Sequence, residues 1–144
     1  MRLQKLNPGL VNAGSTLLLS KSLHDGKTIL LDTLTGSVVT LPAATGSQCK
    51  IRVFEKTAAT SNSHKMQVQN STDVMAGNVI VSGTTTVSFP TVAASDTITL
   101  NRTTTGGATN GGYFDFEDIA PGVWSVRGNA NGSGAVATPF SAAV

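Results

Sequence analysis

A chain of 144 residues with a formal net charge of +2 and only 12% Asp, Glu, Lys and Arg is long enough for one domain, which on folding buries roughly two-thirds of the surface its unfolded form exposes. It lacks the dense Lys/Arg content that phosphate-backbone binding needs, and its single cysteine, Cys49, has no second thiol with which to form an intrachain disulfide or a zinc set. These features argue against nucleic acid as a partner and for a reduced compartment.

No stretch approaches the ~20 consecutive apolar residues of a membrane span. The Leu17-Leu18-Leu19 run is flanked by Asn7-Pro8-Gly9 and Ser20-Lys21 and is too short for a signal-peptide core. The expectation is a soluble chain, not exported by the general secretory route and with no membrane partner. Thr, Ser, Val, Ala, Gly and Asn dominate the composition, whereas Glu, Lys, Gln and Arg are scarce, which predicts an all-β fold.

In chain order, residues 1–15 hold Pro8, Gly9 and Gly14 without a sustained period and are expected to form an extended N-terminal arm. Thr16–Ser20 is the first strand, and His24-Asp25-Gly26 turns the chain into Lys27–Asp32, which predicts a hairpin. Ser37–Leu41 is a strand stopped by Pro42, which has no N–H for a ladder. The phrase Leu-Pro-Ala-Ala-Thr-Gly from Leu41 to Gly46 is one residue too long for a sortase tag, lies mid-chain, and precedes neither a membrane span nor a basic tail. It is a loop between strands.

Lys50–Lys56 alternates, with Ile51, Val53 and Glu55 on one face and Arg52, Phe54 and Lys56 on the other. Met66 and Val68 point inward from Lys65–Gln69. Asn78–Ser82 and Thr84–Phe89 flank Gly83, and Pro90 closes the second of them. Ile98 and Leu100 share a side of Asp96–Asn101. Gly111–Glu117 and Val123–Arg127 are joined through Ile119-Ala120-Pro121-Gly122, where Pro then Gly suits a type II turn. The pattern is about ten short, mainly antiparallel strands with turn signals roughly every 8–12 residues, arranged as a jelly-roll-like sandwich or barrel. Residues 16–128 form the single β domain, and 129–144 a Gly/Ala-rich C-terminal tail that orders only when packed on something.

Chemistry-bearing residues are few. His24 and His64 are the only imidazole bases available near neutral pH, and both are read as solvated loop residues. Cys49, with Lys50 and Arg52 nearby, is read as a half-buried structural thiol. Asp115, Glu117 and Asp118 form the one acidic cluster; Asp115 and Glu117 share a strand face and could hold a hard cation, but the preferred reading is a solvated face with Phe114 and Phe116 inward. Thr103–Gly112 is Gly-rich without the helix and Lys of a P-loop, and is read as a flexible hairpin loop. Trp124 and Tyr113 are assigned to the core or its rim. No catalytic, metal or cofactor site is assigned, and the chain is expected not to be an enzyme.

Several phrases carry a resemblance: Gly26–Asp32, Val39–Gly46, Thr57–Val68, Asp73–Gly77, Asp96–Leu100 and Gly122–Gly128. They resemble the small decoration, or cement, proteins on the heads of tailed bacteriophages, and together cover most of the chain from Gly26 onward. The resemblance implies an all-β structural virion protein, made in the host cytoplasm, that trimerises and clamps neighbouring major capsid proteins on the capsid exterior. It identifies no contact residues. The unpatterned start supplies the candidates Leu3, Leu6, Leu10 and Val11, as an arm able to add a strand to a partner's sheet edge. The alternative is a receptor- or glycan-binding β module of a phage fibre, which would present Trp124 or Tyr113 in a groove.

Overall fold

The computed structural model describes residues 9–144. It has twelve strands and one short helix: β1 Leu10–Asn12, β2 Thr16–Leu18, α1 Lys21–His24, β3 Thr28–Leu31, β4 Val38–Thr40, β5 Lys50–Glu55, β6 His64–Gln67, β7 Val74–Ser82, β8 Thr86–Pro90, β9 Thr97–Leu100, β10 Tyr113–Ala120, β11 Val123–Asn131 and β12 Phe140–Ser141. They form a seven-stranded sheet ordered β1-β3-β5-β10-β11-β7-β8 and a five-stranded sheet ordered β12-β9-β6-β4-β2. The architecture is an all-β sandwich, as the composition predicts.

From β1 to β7 the chain changes sheet at every step. Strands two apart in sequence therefore become neighbours, and they run parallel: β1, β3 and β5 in one sheet, β2, β4 and β6 in the other. This corrects two expectations. Thr16–Ser20 and Lys27–Asp32 do not form a hairpin, because α1 carries the chain from one sheet to the other between them. Nor are the pairings mainly antiparallel: five ladders are parallel and five antiparallel. Parallel neighbours need a crossover, and here the opposite sheet supplies it. The second half of the chain adds the hairpins β7–β8 and β10–β11.

The core lies between the sheets, where period-2 alternation directs it. Ile51 and Val53 of β5, Phe114 and Phe116 of β10, and Trp124 and Val126 of β11 face Val39, Met66, Ile98 and Leu100 of the smaller sheet, all almost fully buried. Burying each large apolar side chain contributes roughly 1.5–3 kcal/mol. Trp124 also donates its indole N–H to the Pro42 carbonyl at 3.0 Å, which satisfies the one polar atom that a buried Trp brings.

Both chain ends described here join the sheets. Leu10–Asn12, in the stretch read as an arm, pairs in parallel with β3. Phe140 pairs with Ile98 at the far edge of the smaller sheet, and the buried Asp96 carboxylate accepts the backbone N–H groups of Ala143 and Val144. The tail is ordered because it packs on the domain itself.

Candidate functional site

Most residues that could carry chemistry are committed to internal bonds. His64 is fully buried; its Nδ1 accepts the Ser37 backbone N–H at 2.9 Å, so the proton resides on Nε2, which donates to the Thr57 carbonyl at 2.7 Å. Burial holds its pKa below the ordinary histidine value, against the opposing pull of the Thr57 bond and Asp32. His24 is buried at the end of α1, where its Nδ1 meets the Ser20 backbone. Neither is the solvated loop residue that the sequence suggests. His24 opens a turn and His64 follows one, but in each a backbone N–H bonds the ring Nδ1.

Cys49 is 1% exposed, and its thiol is pushed up to about 11 by burial and then by the Asp25 charge. The acidic cluster divides. Asp115 makes a two-point ion pair with Arg52, at 2.7 and 2.9 Å, while the Arg52 guanidinium lies 5.0 Å from the Tyr113 ring centroid. Glu117 shares that outer face. Asp118 does not belong to a solvated face: the alternation that buries Phe114 and Phe116 also buries Asp118, at 1% exposure.

The reward for burying Asp118 is a cage. The backbone N–H groups of Thr45, Gly46 and Ser47 and the Ser47 hydroxyl all donate to its carboxylate at 2.7–3.1 Å. Burial alone would raise its pKa, but these donors outweigh it and hold the carboxyl below the usual range. Asp73 holds the same loop from the other side by accepting the Ala44 N–H at 2.8 Å. The Gly-rich stretch Thr103–Gly112 is similarly tied: Asn101 Oδ1 accepts the N–H groups of Thr103 and Thr105, and Ala108 donates to the Asn131 carbonyl.

Two surface features remain. The first is a groove of about 550 Å³ on the outer face of the larger sheet, lined by Lys27, Lys50, Arg52, Asp115, Glu117 and Arg127 among others. Register sets Asp115 between Arg52 and Arg127, and Glu117 between Lys50 and Ser125. Asp115 thus has a cation on both neighbouring strands and Glu117 one on β5 alone, a short cross-strand charge ladder. Trp124, fully buried, is absent from this face, and Tyr113 lies beneath Arg52.

The second feature is the β8 edge. Residues 74–95 contain no ionisable side chain. Within them, Ser82–Ala94 is exposed throughout except at Phe89 and Thr91, which are half-buried. Val87 pairs with buried Val81, and Phe89 with buried Val79, so both sit on the core-side face of the sheet. Even so, Val87 is 36% exposed and Val92, in the following loop, 71%. The end of the larger sheet is not fully covered by the smaller one. Edge strands of soluble monomers are normally blunted by charge; this one carries only Pro90 as protection.

Among the four arm candidates, Leu3 and Leu6 lie outside the described residues. Leu10 projects from the outer side of edge strand β1 and is 56% exposed, whereas Val11 turns inward and packs against the core. The β8 edge was not singled out from sequence, although its signal is legible there: a long uncharged run with alternating Val and Phe. No protein-family model matches this chain, and no curated protein is detectably similar to it.

Proposed function

We propose that this chain is a structural virion protein that binds the outer surface of a phage capsid, assembles as a trimer, and stabilises the shell. The observation that carries the reading is the uncharged β8 edge, with Val87 and Phe89 on a core-side face that no described residue fully covers. Such an edge gains main-chain hydrogen bonds and apolar burial when another chain adds to it. The chain added at this edge is a second copy of this one, which builds the trimer; the strand phrases that resemble decoration proteins supply what the trimer binds, the major capsid protein. The locked state of His24, His64 and Cys49 fits a protein whose role is contact, and the buried Trp124 removes one of the two platforms a glycan-binding module would use.

Stabilisation follows from mass action: a protein that binds the assembled shell and not its free subunits adds its binding free energy to the shell. Three linked contacts raise avidity by a factor on the order of 10²–10⁴ where geometry permits simultaneous engagement. The test is to add purified protein to heads stripped of it and to follow both cosedimentation and the temperature at which the heads disrupt. Saturable binding with a raised disruption temperature supports the reading; no binding and no shift refute it.

A further inference from the structure

Among the described residues, three buried side-chain atoms have no hydrogen-bond partner, Glu55 Oε1, Glu55 Oε2 and Ser37 Oγ, and all belong to residues around His64. Ser37 meets one ring nitrogen through its backbone, and Glu55 Oε2 lies 3.8 Å from the other. The proton on that second nitrogen is already given to Thr57. Glu55 closes β5, and its backbone is bonded in both directions to the Gly-rich turn, through Glu55 N–H to the Gly112 carbonyl at 2.7 Å and Gly111 N–H to the Glu55 carbonyl at 2.9 Å. Its side chain is pressed against the same turn: a Cβ at Gly107 would stand 3.1 Å from Oε2, and one at Gly112 3.5 Å from Oε1. A carboxylate without donors in such a site carries a large desolvation penalty, whereas the neutral acid does not.

We propose that Glu55 is a proton-controlled latch: protonated, it lets the turn 101–112 close over it, and its ionisation loosens that turn. The charged groups nearby do not relieve the burden. His64 on β6 accepts at Nδ1 and donates only from Nε2, Arg102 in the turn points to the Thr60 carbonyl, Lys56, just after β5, faces solvent, and Asp32 beyond β3 acts on His64. Burial, the sole cause, raises the Glu55 pKa to about 7. Because the folded value lies above the unfolded one, this stability is complete below about pH 4.5 and is lost as pH rises to about 7. His64, whose pKa is held down, works in the opposite sense and is common to wild type and variant.

The quantity to read is therefore the ratio of unfolding constants of wild type and Glu55→Gln, from urea titrations between pH 4.5 and 8. The latch predicts a rise in this ratio on the order of a hundred-fold, with amides of 103–112 exchanging faster in wild type than in the variant at pH 8. A constant ratio, or equal exchange of those amides at pH 8, overturns it. Where Glu55→Gln does not fold, carbon-13 titration of the wild-type Glu55 carboxyl decides: a midpoint near 7 supports the latch, and one near the ordinary glutamate value refutes it.

Discussion

The Ser47 hydroxyl donates to the Asp118 carboxylate at 2.7 Å across 71 positions of sequence, and with its neighbours it fixes the Leu41–Ser47 loop to the end of β10. Asp118→Asn keeps the shape but removes the charge and one acceptor, leaving donors of this loop unmatched. The expected loss is about 2–4 kcal/mol of unfolding free energy, measured by urea denaturation at neutral pH. The folded pKa of Asp118 is depressed, so wild-type stability is present above its unfolded value and falls as acid carries the pH through the folded value. Asp118→Asn should show a shallower acid limb than wild type; parallel limbs would contradict the cage.

Cys49 is buried, and its thiol is pushed up to about 11. Since the thiolate is the reactive form, the native protein should resist iodoacetamide or a disulfide reagent at pH 8. Labelling should become fast only in denaturant, as followed by mass spectrometry. Rapid labelling of the folded protein would contradict this burial.

Gly77 occupies φ +152 in β7, where an added Cβ would fall on the Val126 carbonyl of the parallel partner strand. Backbone cannot yield as a side chain tip does. Gly77→Ala should cost more than about 4 kcal/mol and leave little soluble protein. Near-wild-type thermal unfolding of Gly77→Ala would contradict this close approach of β7 to β11.

The β8 edge predicts that the double variant Val87→Lys, Val92→Lys keeps the fold and loses self-association. Wild type should elute near 44 kDa, three times the 14.7 kDa chain, and the variant at the monomer mass, as read by light scattering. Both positions are exposed in the single chain, so the thermal midpoint should move by only a few degrees. Equal masses for the two proteins would remove this edge from the assembly.

How much of this could be read from sequence depends on the link involved. Alternation places Ile51, Val53 and Glu55 on one face and Phe114 and Phe116 inward, and Pro121-Gly122 turns β10 into β11, with Gly122 at φ +78. Pairing is another matter. The chain's step from sheet to sheet between β2 and β3 leaves no local mark, because a strand reads the same whether its neighbour lies 5 residues away or across the sandwich. Asp118 and His64 are buried against their type. The period that carries Phe114 and Phe116 inward also reaches Asp118, but its charge argues for solvent until the donors of Thr45–Ser47 are in view. The β8 edge is visible as an uncharged run, yet exposure of Val87 depends on which strands lack cover, a property of the whole fold.

The most direct test of the proposed role is cosedimentation of the wild type and the Val87→Lys, Val92→Lys variant with heads stripped of the native protein. Wild type should bind saturably at a fixed number of copies per head, and binding by the variant should be weakened at least ten-fold. Failure of wild type to bind would contradict the role itself, and equal binding of both proteins would contradict the edge assigned to it.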